Sequence, residues 1–284
     1  MAETPISAAQ AIVRRLGGTW HGAYGKVRCP AHADKRPSLS ITPGDTRVLY
    51  KCFAGCTTEE IIAALRSERV LVEPNQRDDA VRPERKDLAP LCRELWGRAL
   101  PLAGTPGEAY LRRRGIGHST IGRYEPAAVT YDNDRRIRLP ALYLPITEGR
   151  DLVALARIFI DKDGRKHPRL AEPKRTLGNP GHGCVKIGAI ENNHLNLAEG
   201  FEDAESVIAL HGLPGCWSVN GVELYAHLAI PAHICTITIY TQHGNAAKNG
   251  IAKGEGNLTA GGRSLDIVAP PPGGDWNDAM LTAQ

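Results

Sequence analysis

The sequence predicts a mixed α+β chain in three parts, and three observations predict it. Two short Cys/His pairs stand near the N-terminus, "CPAH" at 29–32 and "CFAGC" at 52–56. The middle is strongly basic and mixes helical with strand-like patterns. From residue 194 onward, short apolar runs alternate with helical patterns, as parallel strand–helix–strand units do. The parts are expected at 1–72, 88–190 and 191–284, with a polar linker, "EPNQRDDAVRPERKD", at 73–87.

The bulk numbers narrow the class. A chain of 284 residues, 42% hydrophobic and 23% charged, has ample material for a globular core. No apolar run approaches the roughly 20 residues of a membrane span. The N-terminus, "MAETPISAAQAIVRR", lacks a secretory apolar region. A cytoplasmic protein without membrane attachment is expected, so its seven cysteines do not form a disulfide framework and clustered ones point to metal. The net charge of +4 is unevenly spread: +2 over residues 1–80, +8 over 81–178 and −6 over 179–284. A basic middle beside an acidic C-terminal part suits a polyanion-binding surface next to a cation site.

Each element has its own signal. Residues 5–16 read as a helix stopped by Gly17-Gly18, followed by short strands to about residue 52. Thr57 and Glu60 form a capping box ahead of "IIAAL" and start a helix. A helix at about 88–100 follows the linker, and Thr105, Pro106 and Glu108 give the next one an N-cap, an N1 proline and an N3 acid. That helix carries Arg112, Arg113 and Arg114 and stops at Gly115. "LPALYLPI" and "LVALARIFI" are strands, the second closed by a "DKDG" turn. Strands are then expected at 195–198, 217–219, 234–240 and 264–268. The helices between and after them are expected at 203–211, 221–228, 245–253 and 276–283.

The clearest chemistry is at Cys29, His32, Cys52 and Cys56: C-x2-H, then C-x3-C after 19 residues. Two paired knuckles supply the four N/S ligands of tetrahedral zinc and leave no open position, so the zinc is expected to be structural. Cys92, Cys184, Cys216 and Cys235 stand alone and read as small, mostly buried residues. The second chemical feature is the strand ending "LAEG", which closes on Glu199, with Asp203 four residues on. Ligands of open parallel sheets sit at such carboxyl ends.

In this order the features resemble the primases of phages, plasmids and integrated elements, relatives of the bacterial replicative primase. "CPAHADKRPSLSI…YKCFAGCTTEEIIAAL" resembles their zinc ribbon. "LWGRALPLAGTPGEAYLRRRGI", "ARIFIDKDGRKH" and "GNPGHGCVKIG" resemble the region before the Toprim domain, and "LAEGFEDAESVIALHGLPGCWSVNG" with "PPPGGDWNDAM" resembles the Toprim domain itself. The resemblance implies an N-terminal zinc ribbon, a basic α+β subdomain and a C-terminal Toprim domain with a parallel sheet flanked by helices.

It implies template-directed synthesis of short RNA primers on single-stranded DNA from nucleoside triphosphates, with Mg²⁺ or Mn²⁺. The setting is replication of a phage or mobile element. Glu199 maps onto the family's glutamate, Asp203 onto the acid four residues later, and Asp275 and Asp278 onto its last acidic motif. Arg157 and Lys166 match basic positions of the family, and Lys174 and Arg175 lie in a nearby loop. With Arg112–Arg114 they form the expected nucleic-acid-binding set. One departure stands out. The family's Asp-x-Asp falls here on Gln242 and Gly244, and no carboxylate occurs between Glu223 and Glu255. This keeps open an alternative: a catalytically impaired relative that binds single-stranded DNA as a replication accessory. A Toprim nuclease is a third reading, which the zinc ribbon opposes. No Walker-type phosphate loop is present, so a helicase partner would be a separate chain.

Overall fold

The structure, a computed structural model, describes residues 4–44, 47–70, 87–117, 119, 121–132 and 135–283. The expected linker at 73–87 lies outside the described residues except for Asp87. The described chain is mixed α+β, with seven α-helices and three sheets. No helix among the described residues is long and apolar enough to cross a membrane. The chain divides into two compact units, Met1–Lys86 with Asn133–Arg135, and Asp87–Asp132 with Arg136–Gln284.

In the first unit, helix α1 (Pro5–Arg15) starts where Thr4 Oγ1 accepts the Ser7 N–H at 3.2 Å, with Pro5 in the first turn. Strands β1 (Thr19–Trp20), β2 (Gly25–Val27), β3 (Leu39–Pro43) and β4 (Val48–Cys52) form an antiparallel sheet in that order. Helix α2 (Thr58–Ser67) opens with the expected capping box between Thr57 and Glu60. Alternation along the strands sends Val27, Leu39 and Ile41 inward. There they meet Ile12 and Val13 of α1 and Ile61 and Leu65 of α2. Each such buried side chain contributes about 2 kcal/mol.

The second unit begins with α3 (Ala89–Arg98) and α4 (Pro106–Arg113). An antiparallel sheet follows, β5 (Arg123–Asp132), β6 (Arg135–Glu148), β7 (Asp151–Phe159) and β8 (Lys174–Gly178), paired in chain order. One face packs Tyr143, Leu155 and Phe159 against Cys92 of α3. The other packs Leu142, Leu144, Ala156 and Ile158 with Tyr110 of α4. The "DKDG" turn forms as expected: Asp161 Oδ1 accepts the N–H groups of Asp163 (2.9 Å) and Arg165 (2.8 Å).

The remaining elements are β9 (Val185–Gly188), β10 (His194–Ala198), α5 (Phe201–His211), β11 (Gly215–Ser218), β12 (Thr236–Tyr240), α6 (Asn245–Leu258), β13 (Ser264–Val268) and α7 (Trp276–Ala283). Five strands make one sheet, β13-β12-β10-β11-β9. The four from β10 to β13 run parallel, and β9 pairs antiparallel with β11. Helix α5 lays Phe201, Ala204 and Val207 into the same cluster as Leu144 and Ile158, so one core joins both sheets of this unit.

Three expectations change. The helix expected at 221–228 is a short 3-10 turn, Val222–Ala226. Helix α6 presses its glycines onto that turn: a Cβ on Gly250 would come within 2.4 Å of Val222, and one on Gly254 within 2.6 Å of Tyr225. Lys174 and Arg175, expected in a loop, instead open strand β8 and pair with β7. Of the isolated cysteines, Cys92, Cys184 and Cys216 are buried, but Cys235 is exposed.

Candidate functional sites

Cys29, His32, Cys52 and Cys56 converge, although 27 positions separate the first from the last; their ligand atoms all lie within 4.8 Å of one another. His32 Nδ1 is 3.2 Å from Cys56 Sγ and 4.0 Å from Cys52 Sγ. Tetrahedral zinc with such ligands sets donor–donor separations of about 3.3–3.8 Å. The cluster fits zinc, and its all-protein donor set leaves no place for a substrate.

Asp34 shapes the first knuckle. Its Oδ2 accepts the backbone N–H of Cys29 (2.8 Å) and Ser38 (3.0 Å) and the Ser38 hydroxyl (2.6 Å). Burial works against its charge, but these bonds prevail and hold the carboxyl at about 2. In the second knuckle the Ala54 N–H donates to Cys52 Sγ at 3.4 Å. Burial, with the neighbouring thiols, pushes Cys29 up to about 12, an arrangement that a bound cation reverses.

The acid-ended strand builds the second site. Glu199 follows β10, and its backbone carbonyl is held by the Asn220 N–H (2.9 Å) and the Ser218 hydroxyl (3.2 Å). It lines a cavity of about 230 Å³ with Leu144, Ala156, Lys174, Thr176, Asn220 and Gln242. Burial, then the charges of Asp203 and Glu223, raise its carboxyl above the usual range.

Asp203 is buried in the first turn of α5. It folds back so far that a Cβ on Gly200 would lie 3.1 Å from its Oδ2. Gln242 reaches that same oxygen: its Nε2 donates to Asp203 Oδ2 at 2.6 Å. Burial raises Asp203 to about 6, against the Gln242 bond and with help from Asp275 and Glu202.

Asp275 and Asp278 cap α7 reciprocally. The Asp278 N–H donates to Asp275 Oδ1 at 2.8 Å, and the Asp275 N–H donates to Asp278 Oδ2 at 3.3 Å. Asp278 is exposed, whereas the Asp275 charge is felt at Asp203 and Lys166.

The seven basic residues occupy different settings. Arg112 is exposed and pairs with Glu108 at 3.3 Å. Arg113 donates to the Asp163 carbonyl at 2.9 Å, and Arg114 to Asn277 Oδ1 at 3.1 Å. Arg157 stands opposite Arg175 across β7 and β8, and Ile158 stands opposite Lys174. Side chains alternate along strands, so Lys174 and Thr176 belong to the Glu199 side, Arg157 and Arg175 to the α3 side. Arg157 is only 8% exposed; Nη1 donates to the Val129 carbonyl at 2.9 Å, and the guanidinium lies 5.2 Å from the Phe159 ring. Its Nε is buried without a hydrogen-bond partner among the described residues. Arg175 Nη1 binds Thr130 Oγ1 (2.8 Å) and the Tyr131 carbonyl (2.7 Å). Lys166 is exposed and feels Lys174, Glu202 and Arg114.

Comparison with known proteins adds the following. The family described as a domain of unknown function (DUF7146) matches residues 86–187. No curated protein matches the sequence. Among solved structures, the chain is similar to a DNA primase domain from Pseudomonas aeruginosa, at 13% identity over 69% of this chain and 74% of that one, with a TM-score of 0.49. It is similar to the zinc-binding and RNA polymerase domains of the Aquifex aeolicus primase, at 13% identity over 100% and 84%, with a TM-score of 0.47. It is also similar to the primase fragment of the bacteriophage T7 primase–helicase protein, at 11% identity over 91% and 96%, with a TM-score of 0.39.

The segment 86–187 carries Lys174 and Tyr110 but neither Glu199 nor the cysteine cluster. The structure adds residues that the sequence reading passed over. Glu202 is buried beside Lys174 and Tyr110. Asn277 is 1% exposed and ties α7 to the Arg114 carbonyl (2.8 Å) and Ser206 Oγ (3.0 Å). Asp34, two positions after His32 of the cysteine–histidine cluster, was the one with a local signal.

Proposed function

We propose that the chain is a DNA primase-like protein that makes short RNA primers on single-stranded DNA from nucleoside triphosphates, in replication of a phage or mobile element. The observation that carries this reading is the cavity at the carboxyl end of β10, where Glu199 shares the lining with Lys174. A carboxylate facing an ammonium across such a space suits a phosphoryl-transfer site, one to handle a proton or cation and the other a phosphate oxygen. The sequence resemblance supports the same reading, with residues 88–190 as the basic subdomain and 191–284 as the Toprim domain.

Zinc at Cys29, His32, Cys52 and Cys56 would hold the first unit in shape. In the same unit Phe53 is 54% exposed, with Lys26 and Lys51 ammonium groups 5.5 and 5.0 Å from its ring centre. An exposed ring flanked by cations suits a base of a single strand and its phosphates. In the second unit Lys174, Lys166 and Arg112 are the basic side chains best placed to meet a strand or a triphosphate. A separate helicase is the partner such a chain would work with.

A Mg²⁺ or Mn²⁺ ion, when bound, would neutralise charge on the triphosphate. The residues present fit that ion poorly. Asp203 Oδ2 already accepts the Gln242 amide, whose nitrogen donates and cannot ligate a cation. This contact favours the second reading, a single-strand-binding accessory with an impaired site.

Primer synthesis with labelled nucleotides on single-stranded DNA, in Mg²⁺ and separately in Mn²⁺, decides between them. Weak synthesis, stronger in Mn²⁺ and abolished by Glu199→Gln, is expected. DNA binding without any synthesis would leave the accessory reading, and synthesis that survives Glu199→Gln would move the catalytic centre elsewhere.

A further inference from the structure

Glu202 is 5% exposed, at the second position of α5, and no role falls to it from the sequence. It accepts two hydrogen bonds from far along the chain. Tyr110 on α4 donates its hydroxyl to Oε1, and Lys174 on β8 donates Nζ to Oε2 at 2.7 Å. Tyr110 is itself only 2% exposed, so one end of this chain of contacts is fixed in the core. The other end is open: the Lys174 side chain is 49% exposed and lines the cavity with Glu199. Burial opposes the Glu202 charge, but the Lys174 ammonium and the two hydrogen bonds outweigh it and hold the carboxyl at about 2. A lysine on an edge strand has four rotatable bonds and no preferred direction. Here a buried, ionised carboxylate gives it one.

We propose that Glu202 is a positioning residue that aims Lys174 into the Glu199 cavity to take a phosphate oxygen of a nucleoside triphosphate, with Tyr110 fixing Glu202 in turn. This rests on the phosphoryl-transfer reading of the cavity. Glu202 lines the same cavity, but it is 5% exposed and its two oxygens are taken by Tyr110 and Lys174, so it acts through the lysine. It also lowers the cost of emptying the cavity, because Lys174 keeps a partner when no phosphate is bound.

The test is a double-mutant cycle read by calorimetric titration with ATP and, separately, inorganic tripolyphosphate, on the full chain. Lys174→Met should weaken both ligands about tenfold, the usual scale for one charged hydrogen bond. Glu202→Gln should weaken them several-fold, and the double variant should bind no worse than Lys174→Met alone. A residue with a purely structural role would instead multiply its loss onto that of Lys174. Tyr110→Phe serves if Glu202→Gln does not fold: it keeps the ring, should weaken ATP about twofold to threefold, and should add nothing in the Lys174→Met background. Losses that multiply, or Glu202→Gln and Tyr110→Phe proteins that bind like the unmodified chain, overturn the proposal. Primer synthesis by the same proteins separates the two readings. Synthesis with multiplying losses removes only the positioning role, whereas neither synthesis nor ATP binding removes the site reading and the positioning role with it.

Discussion

The cysteine–histidine cluster of the first unit and the acid cluster of the second are both built from charged or ionisable ligands, yet they differ in what completes them. In the first, three thiols and an imidazole converge within 4.8 Å, and the thiols need a cation to coexist as thiolates. In the second, protein groups already fill the complementary places. The Lys174 ammonium sits on Glu202, and the Gln242 amide sits on Asp203. A site that lacks its partners depends on an ion for its shape. A site that carries its partners internally keeps its shape without one and has less to offer an incoming ion.

The largest test of this contrast is Cys52→Ala. It should release zinc, measured by metal analysis, and remove most of the first unit's stability, on the order of 10 kcal/mol at neutral pH. Hydrogen exchange should then show residues of about 20–65 unprotected while β10 and β12 stay protected. Full zinc content in that variant would contradict the contrast at its stronger end.

A smaller change is expected from Gln242→Asp. Without divalent ions it places a second carboxylate against buried Asp203 and should cost about 1–2 kcal/mol, lowering Tm by roughly 3–6 °C. Millimolar Mg²⁺ should restore that loss in the variant while leaving the unmodified chain's Tm nearly unchanged. Equal Mg²⁺ shifts in both proteins would mean that the amide does not stand in for a cation.

The smallest effect separates two basic residues that the sequence treats alike. Lys166→Met should flatten the slope of log affinity against log salt for single-stranded DNA by about 0.7, one phosphate contact. Arg157→Met should leave that slope unchanged, because its guanidinium is spent on the Val129 carbonyl and the Phe159 ring. A slope that responds to Arg157 and not to Lys166 would reverse their assignments.

What could be read in advance follows from the range of each signal. The Cys29, His32, Cys52 and Cys56 cluster announces itself because two local spacings encode it, and Thr57 with Glu60 announces its helix for the same reason. Glu199 is legible as the polar end of an apolar run. The pairing of Glu202 with Lys174 and Tyr110 is not, since it spans 28 and 92 positions and depends on how α5 packs against the neighbouring sheet. "DWND" reads as an acidic motif, while in the structure its two aspartates also cap a helix. Arg157 reads as a surface cation because nothing in "ARIFI" says which face of β7 is covered. The sequence-matched segment ends at 187, inside a strand whose partner lies beyond it.

That strand has a consequence for how the protein can be divided or inherited. Val185–Gly188 completes the five-stranded sheet from its antiparallel edge, pairing with all four residues of Gly215–Ser218. A boundary drawn near 190 would strip that edge from β11, leaving a bare row of N–H and C=O groups, and would part Glu202 from the lysine and tyrosine that keep it charged in the core. Neither piece would be a smaller copy of the whole. The second unit is therefore the smallest portion that recombination could move intact, and lineages that exchange its two halves separately would have to rebuild both an edge strand and a buried ion pair.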